Sequence, residues 1–170
     1  GWDTPQTFYD DYIGQSEKMN IPIYRVIGNH DMDYNGRSHE TSFRSFEGFF
    51  GPSCYSFNKG NAHYIVLNNN FYIGREYFYM GYIDERTFKW LEEDLSYVPK
   101  GTLVFVAAHI PTRITEELRP FKYDYMIMGG ETINAESLYR LLDGYDTHFL
   151  TGHLHTNSNV VFNERRMEHN

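Results

Sequence analysis

At 170 residues, 41% apolar and 18% aromatic, the chain is long enough to bury a real core as one domain. A formal net charge of -8 and the lack of any basic run argue against a nucleic-acid or anionic-membrane surface, both of which need clustered Lys and Arg. The single cysteine, Cys54, excludes an internal disulfide and a cysteine-rich zinc site, and it reads as a small buried apolar residue.

No apolar run approaches the roughly 20 residues that span a bilayer. The chain opens at Gly1-Trp2-Asp3 with no initiator Met and no signal-peptide pattern, and it reads as an excised piece of a longer protein. Thr4-Pro5 opens a helix in which Phe8, Tyr12 and Ile13 recur at helical spacing through about Met19, and Asn20 ends it. Ile21 to Ile27 reads as a short buried strand with Pro22 confined to its start, and it runs directly into Gly28-Asn29-His30-Asp31. After a turn at Asn35-Gly36, Phe43, Phe46, Phe49 and Phe50 fit one face of a short core helix that stops at Gly51-Pro52.

Tyr55 to Asn58 and Ala62 to Leu67 flank Lys59-Gly60-Asn61 as a hairpin. Phe71 to Tyr82, rich in tyrosine and weakly periodic, reads as a loop. Asp84 caps a helix carrying Phe88, Leu91 and Leu95, and a buried strand from Leu103 to Ala108 then runs into His109. The long segment 111–130 carries Arg113, Arg119, Lys122, Tyr123 and Tyr125. Ala135 to Leu142 is a helix stopped by Gly144. His148 to Thr151 is a third strand, running into Gly152-His153-Leu154-His155. A last hairpin joins Asn159–Phe162 to the Met167 region through Asn163-Glu164. Strands alternating with helices and hairpins, without repeats or linkers, predict one layered α/β domain over residues 1–170.

Three strand ends that each deliver metal-type ligands predict one shared site, because loops converge beyond the carboxyl ends of strands in such sheets. His153 and His155 stand two apart in a stretch expected to be extended, about 6–7 Å apart at the backbone, so both imidazoles would project to one side, which suits two neighbouring metals. His and Asn ligands suit zinc, manganese or iron. Being neutral, they leave the ion's charge to polarise a phosphoryl oxygen and to lower the pKa of bound water toward about 7. His30 and Asp31 read as a proton-handling pair able to protonate a leaving oxygen.

At these residues the sequence resembles the calcineurin-like metallophosphoesterase superfamily, whose later motifs stand here as Gly28-Asn29-His30-Asp31, His109 and Gly152-His153-Leu154-His155. Phe50-Gly51-Pro52-Ser53-Cys54-Tyr55-Ser56-Phe57, Trp90-Leu91 to Leu95 and His109-Ile110-Pro111 are similar to its phosphodiesterase-like and secreted phosphohydrolase branch, which leans toward an extracytoplasmic location. The resemblance implies two packed β-sheets flanked by helices. It also implies that Asn29, His109 and His153 ligate one metal, that His155 ligates a second, and that His30, assisted by Asp31, is the catalytic or phosphate-contacting histidine.

The family's opening Asp-x-His and Gly-Asp blocks do not occur ahead of Gly28. The domain is therefore expected to be truncated at both ends, with two Mn, Fe or Zn ions in the intact parent and at most one, weakly held, here. It should hydrolyse poorly, and its exposed strand edges should favour a homodimer or strand swap. The expected activity is metal-dependent hydrolysis of a small-molecule or lipid phosphomonoester or phosphodiester by metal-activated hydroxide. The alternative is a non-catalytic scaffold of the same fold. Arg37, Arg113 and Tyr123 are candidate substrate contacts, together with Arg119 and Tyr125; His39, His63, His148 and His169 read as structural or surface residues, and Asp33 as a turn former.

Overall fold

Hairpins and crossovers assemble one large sheet in the computed structural model, which describes residues 5–74, 78–114 and 130–170. Strands β1 (Tyr55–Lys59) and β2 (Ala62–Leu67) form an antiparallel hairpin over Gly60, whose φ of 62° suits a residue without Cβ. Strands β3 (Asn70–Gly74) and β4 (Phe78–Gly81) make a separate two-stranded sheet. Strand β5 (Leu103–Ala108) then lies parallel to β2, and β6 (Asp146–Leu150) lies parallel to β5. The closing hairpin of β7 (Asn159–Asn163) and β8 (Arg166–His169) completes the order β1-β2-β5-β6-β8-β7. The fold is therefore α/β with two sheets and flanking helices, as expected from the sequence.

Among the described residues the α-helices are α1 (Pro5–Ser16), α2 (Arg44–Phe50), α3 (Glu85–Ser96) and α4 (Ala135–Leu141). Alternation along β2 and β5 turns Ile65, Leu67, Val104, Val106 and Ala108 to one face, where they meet Leu91 and Leu95 of α3 and Leu138 of α4. A side chain buried as fully as Leu91 contributes about 1.5–3 kcal/mol. The start of α3 is fixed by Asp84, whose Oδ1 accepts from Thr87 N–H at 2.6 Å. Across the sheet, Tyr24 stacks on Phe57 at 4.0 Å, Phe57 on Tyr64 at 5.0 Å and Tyr64 on Phe105 at 5.0 Å. These rings border a cavity of about 520 Å³ that reaches His109 and Gly152.

Parallel register sets up the site. Leu67 pairs with Ala108 and Ala107 with Leu150, so Asn68, His109 and Gly152 leave the sheet side by side.

Two expectations need correction. Residues 21–27 form no strand: Ile21 is 58% and Tyr24 50% exposed, and only Ile27 is buried. Nothing among the described residues offers this segment a ladder, and its Arg25 carbonyl accepts instead from the Tyr55 hydroxyl at 3.0 Å. Within 71–82, expected as a loop, residues 71–74 and 78–81 are strand, belonging to the β3–β4 pair, whose inward positions are Asn70 and Tyr72, so that the alternation is one of polar and aromatic rather than apolar side chains. In α1 the buried aromatic is Tyr9, whereas Phe8 and Tyr12 are exposed. Asn20, with φ of 51°, ends the helical segment as anticipated.

Candidate metal centre

The loop after Ile27 is held by its main chain. Asn29–Asp31 form a single 3-10 turn, and Asp31 Oδ2 accepts from Gly28 N–H at 2.8 Å. Three backbone carbonyls of the segment accept from side chains elsewhere: Ile27 from the Asn70 amide at 2.9 Å, Asn29 from the Tyr34 hydroxyl at 2.6 Å, and Asp31 from the Tyr9 hydroxyl at 2.9 Å. Burial raises the Asp31 carboxyl above its ordinary value, against the opposing Gly28 hydrogen bond.

The His109 loop is clamped in the same way. Asn69, fully buried, accepts from Ile110 N–H at 3.1 Å and donates to the Ile110 carbonyl at 2.6 Å, while the His109 carbonyl accepts from Gly152 N–H at 3.0 Å. His109 Nε2 therefore stands 2.7 Å from Asn29 Oδ1 and 3.1 Å from His153 Nδ1. Burial first, then the neighbouring His153, His30 and His155, push the His109 imidazole down to about 4, so it is neutral near pH 7 and in the form that ligates metals.

That spacing fits an ion. Two donors bound at about 2.1 Å lie about 3.0 Å apart at the right angles of octahedral coordination, and about 3.4 Å apart around a tetrahedral ion. Atoms with lone pairs set this close repel unless a proton or a cation sits among them. Asn29, His109 and His153 could thus hold one divalent ion with neutral ligands. Among the described residues no three His, Cys, Asp or Glu side chains gather to hold an ion, so the trio counts three only through the Asn29 amide oxygen.

The other predicted residues lie around this trio. His30 is exposed on the turn, with its charge felt by both Asp31 and His109. His155 is also exposed, and the stretch is not extended as expected: φ is 71° at His153 and 55° at His155, and Leu154 N–H bonds the Gly152 carbonyl at 2.8 Å. Left-handed backbone at two non-glycine residues turns each imidazole by the local fold of the loop, not by strand alternation. Arg37 is exposed, and its N–H donates to Thr41 Oγ1 at 3.0 Å. Arg113 is exposed, its guanidinium 5.9 Å from the Phe162 ring centre. Tyr123, Arg119, Lys122 and Tyr125 lie outside the described residues.

Several contributors were not foreseen. The Tyr79 hydroxyl stands 3.5 Å from His153 Nε2, and Tyr9, Tyr34, Asn69 and Asn70 hold the loops. The available signal was the polar run Asn68-Asn69-Asn70, placed where an apolar strand ends.

The chain is 30% identical over 135 residues to the DNA double-strand break repair protein Mre11 of Methanococcus maripaludis, covering 75% of this chain and 35% of that protein. The chain thus spans about a third of the curated relative it matches. Its fold resembles a dimetal phosphatase from Danio rerio with a TM-score of 0.62 at 15% identity, covering 94% of this chain and 63% of the other. The family model for calcineurin-like phosphoesterases matches residues 3–157. The chain belongs to the calcineurin-like phosphoesterase family.

Proposed function

We propose that the chain serves metal-dependent hydrolysis of a phosphomonoester or phosphodiester carried by a small molecule or lipid. The observation that carries this reading is that His109 Nε2 lies 2.7 Å from Asn29 Oδ1 and 3.1 Å from His153 Nδ1. Asn29, His109 and His153 would hold one divalent zinc, manganese or iron ion, and His155 would be a ligand of a second. A divalent ion there supplies Lewis acidity toward a phosphoryl oxygen and acidifies water. His30, exposed beside the trio, carries the proton that the departing oxygen needs, while Asp31 keeps the turn closed through Gly28 N–H. With neutral donors only, and one histidine toward the second ion, these residues by themselves hold one ion weakly and turn over slowly. The Mre11 relative is named for DNA repair, whereas the net charge of -8 here favours a small anionic ester held locally by the ion.

The test is hydrolysis of p-nitrophenyl phosphate and bis(p-nitrophenyl) phosphate with added Mn²⁺ or Zn²⁺, for the chain and for Asn29→Ala and His109→Ala. Metal-dependent turnover lost in both variants supports the reading; turnover retained in both refutes the assigned roles. A second reading, a scaffold of the same fold without catalysis, is favoured by the absence of three gathered His, Cys, Asp or Glu side chains among the described residues. It predicts no turnover under any added metal.

A further inference from the structure

Glu168 is 1% exposed, on β8, in register with Phe149 of β6. A carboxylate there is costly to bury, and an apolar side chain would fill the space more cheaply unless the oxygens are needed. Their partners identify the need. Oε1 accepts from Thr112 N–H at 3.0 Å and from the Thr151 hydroxyl at 3.0 Å, and Oε2 accepts from the Thr112 hydroxyl, which itself accepts from Tyr139 of α4 at 2.7 Å. Thr112 lies on the loop that follows His109, and Thr151 immediately precedes Gly152-His153.

We propose that Glu168 is a positioning residue for the candidate metal centre, its buried carboxylate bracing the two loops that deliver His109 and His153. The loops otherwise meet through the Gly152 N–H bond to the His109 carbonyl at 3.0 Å, and His153 sits at a φ of 71° that the surroundings must hold. A brace through Thr112 and Thr151 keeps both loops at one spacing and so keeps His153 Nδ1 within 3.1 Å of His109 Nε2. The assignment rests on the metal-binding reading above, but the brace itself does not require a metal to be detected.

The experiment uses the full chain with Glu168→Leu, Glu168→Gln and Thr151→Val. Two readouts are followed: Co²⁺ titration by its visible spectrum, and hydrogen exchange at the Gly152 amide, which does not touch Glu168. Glu168→Leu and Thr151→Val should weaken Co²⁺ binding by about 10- to 100-fold and shift its spectrum, while Glu168→Gln, which keeps an oxygen acceptor, should stay within about threefold of wild type. In the two weakened variants Gly152 should exchange about tenfold faster, with Val106 in the middle of β5 unchanged. Should Glu168→Leu fail to fold, Thr151→Val carries the test, since it removes one hydroxyl and leaves β8 intact. Wild-type exchange at Gly152 in the folded variants overturns the inference, and so does unchanged Co²⁺ affinity. A wild-type chain that takes up no Co²⁺ counts against the proposed function, and Gly152 exchange alone then decides whether the brace exists.

Discussion

Replacing Gly28 by alanine should damage the metal centre while sparing the fold. Gly28 has φ of -102° and ψ of 172°, a conformation any residue adopts, so the only change is the added Cβ. That atom would stand 3.3 Å from His109 Cε1, 3.4 Å from His109 Nδ1 and 3.4 Å from Asp31 Oδ2. Carbon contacts are comfortable at about 3.5–4.0 Å, so the imidazole must retreat by roughly 0.3 Å. Ligand distances tolerate only about 0.2 Å, and His109 shares edges of 2.7 and 3.1 Å with both other donors. Zn²⁺ affinity, measured by calorimetric titration, should fall about tenfold, equivalent to about 1.4 kcal/mol. Stability should stay within about 1 kcal/mol, or about 2–4 °C in Tm for a chain of this size. Gly48, on the exposed side of α2 with nothing within 4 Å of a built Cβ, is the control: alanine there should add up to about 1 kcal/mol of stability and leave Zn²⁺ binding alone. Equal Zn²⁺ affinity in Gly28→Ala and wild type would refute the packing argument, as would a loss that merely follows unfolding.

Three further outcomes follow from buried contacts. Asn69→Leu strips both hydrogen bonds from the Ile110 main chain, and an unsatisfied buried group costs about 1–3 kcal/mol, so the urea midpoint should drop at unchanged slope. At Gly81 an added Cβ would collide with the Glu131 carbonyl, where the chain also forms a bridge to Thr132; Gly81→Ala should cost about 1–3 kcal/mol, read as a lower Tm. Burial raises the Glu168 carboxyl above its ordinary value even though the Thr112 and Thr151 hydrogen bonds oppose the shift. The folded state then holds a proton that the unfolded chain has released. The contribution of Glu168 to stability is complete below the unfolded value of 4.5 and is lost as pH rises through the folded one. Melts of wild type and Glu168→Gln from pH 4 upward should show the variant gaining on wild type across that window, and a constant difference would contradict it.

The sequence disclosed what depends on local pattern and hid what depends on partners. The strands at 62–67, 103–108 and 146–150 were legible because buried parallel strands read as apolar runs, and their shared register brings His109 and Gly152 to one level. Ile21–Ile27 has the same appearance and is not a strand, since an apolar run declares a preference for burial and says nothing about who pairs with it. The β3–β4 hairpin was hidden by its inward Asn70 and Tyr72, and the left-handed turns at His153 and His155 because neither position is a glycine. Glu168 could not be singled out as a charge in an otherwise ordinary hairpin, because its meaning lies in Thr112 and Thr151, 56 and 17 positions away.

The way the loops are held also separates folding from chemistry at this site. The Ile27, Asn29 and Asp31 carbonyls are bonded by Asn70, Tyr34 and Tyr9, and Ile110 by Asn69, so each loop takes its shape from main-chain hydrogen bonds with side chains outside it. The Asn29 amide and the His109 imidazole are therefore not required to keep the loops in place, and their oxygen and nitrogen face each other at 2.7 Å, a spacing held either by a ring proton or by a cation that replaces it. Removing a donor should change what the site binds far more than whether the chain folds, whereas removing a clamp such as Asn69 should do both. That asymmetry separates a ligand from a structural histidine: His63, more deeply buried than His109, is bonded on both ring nitrogens by Asn58 and Asp94 at 2.9 and 2.8 Å and leaves no lone pair directed at an ion.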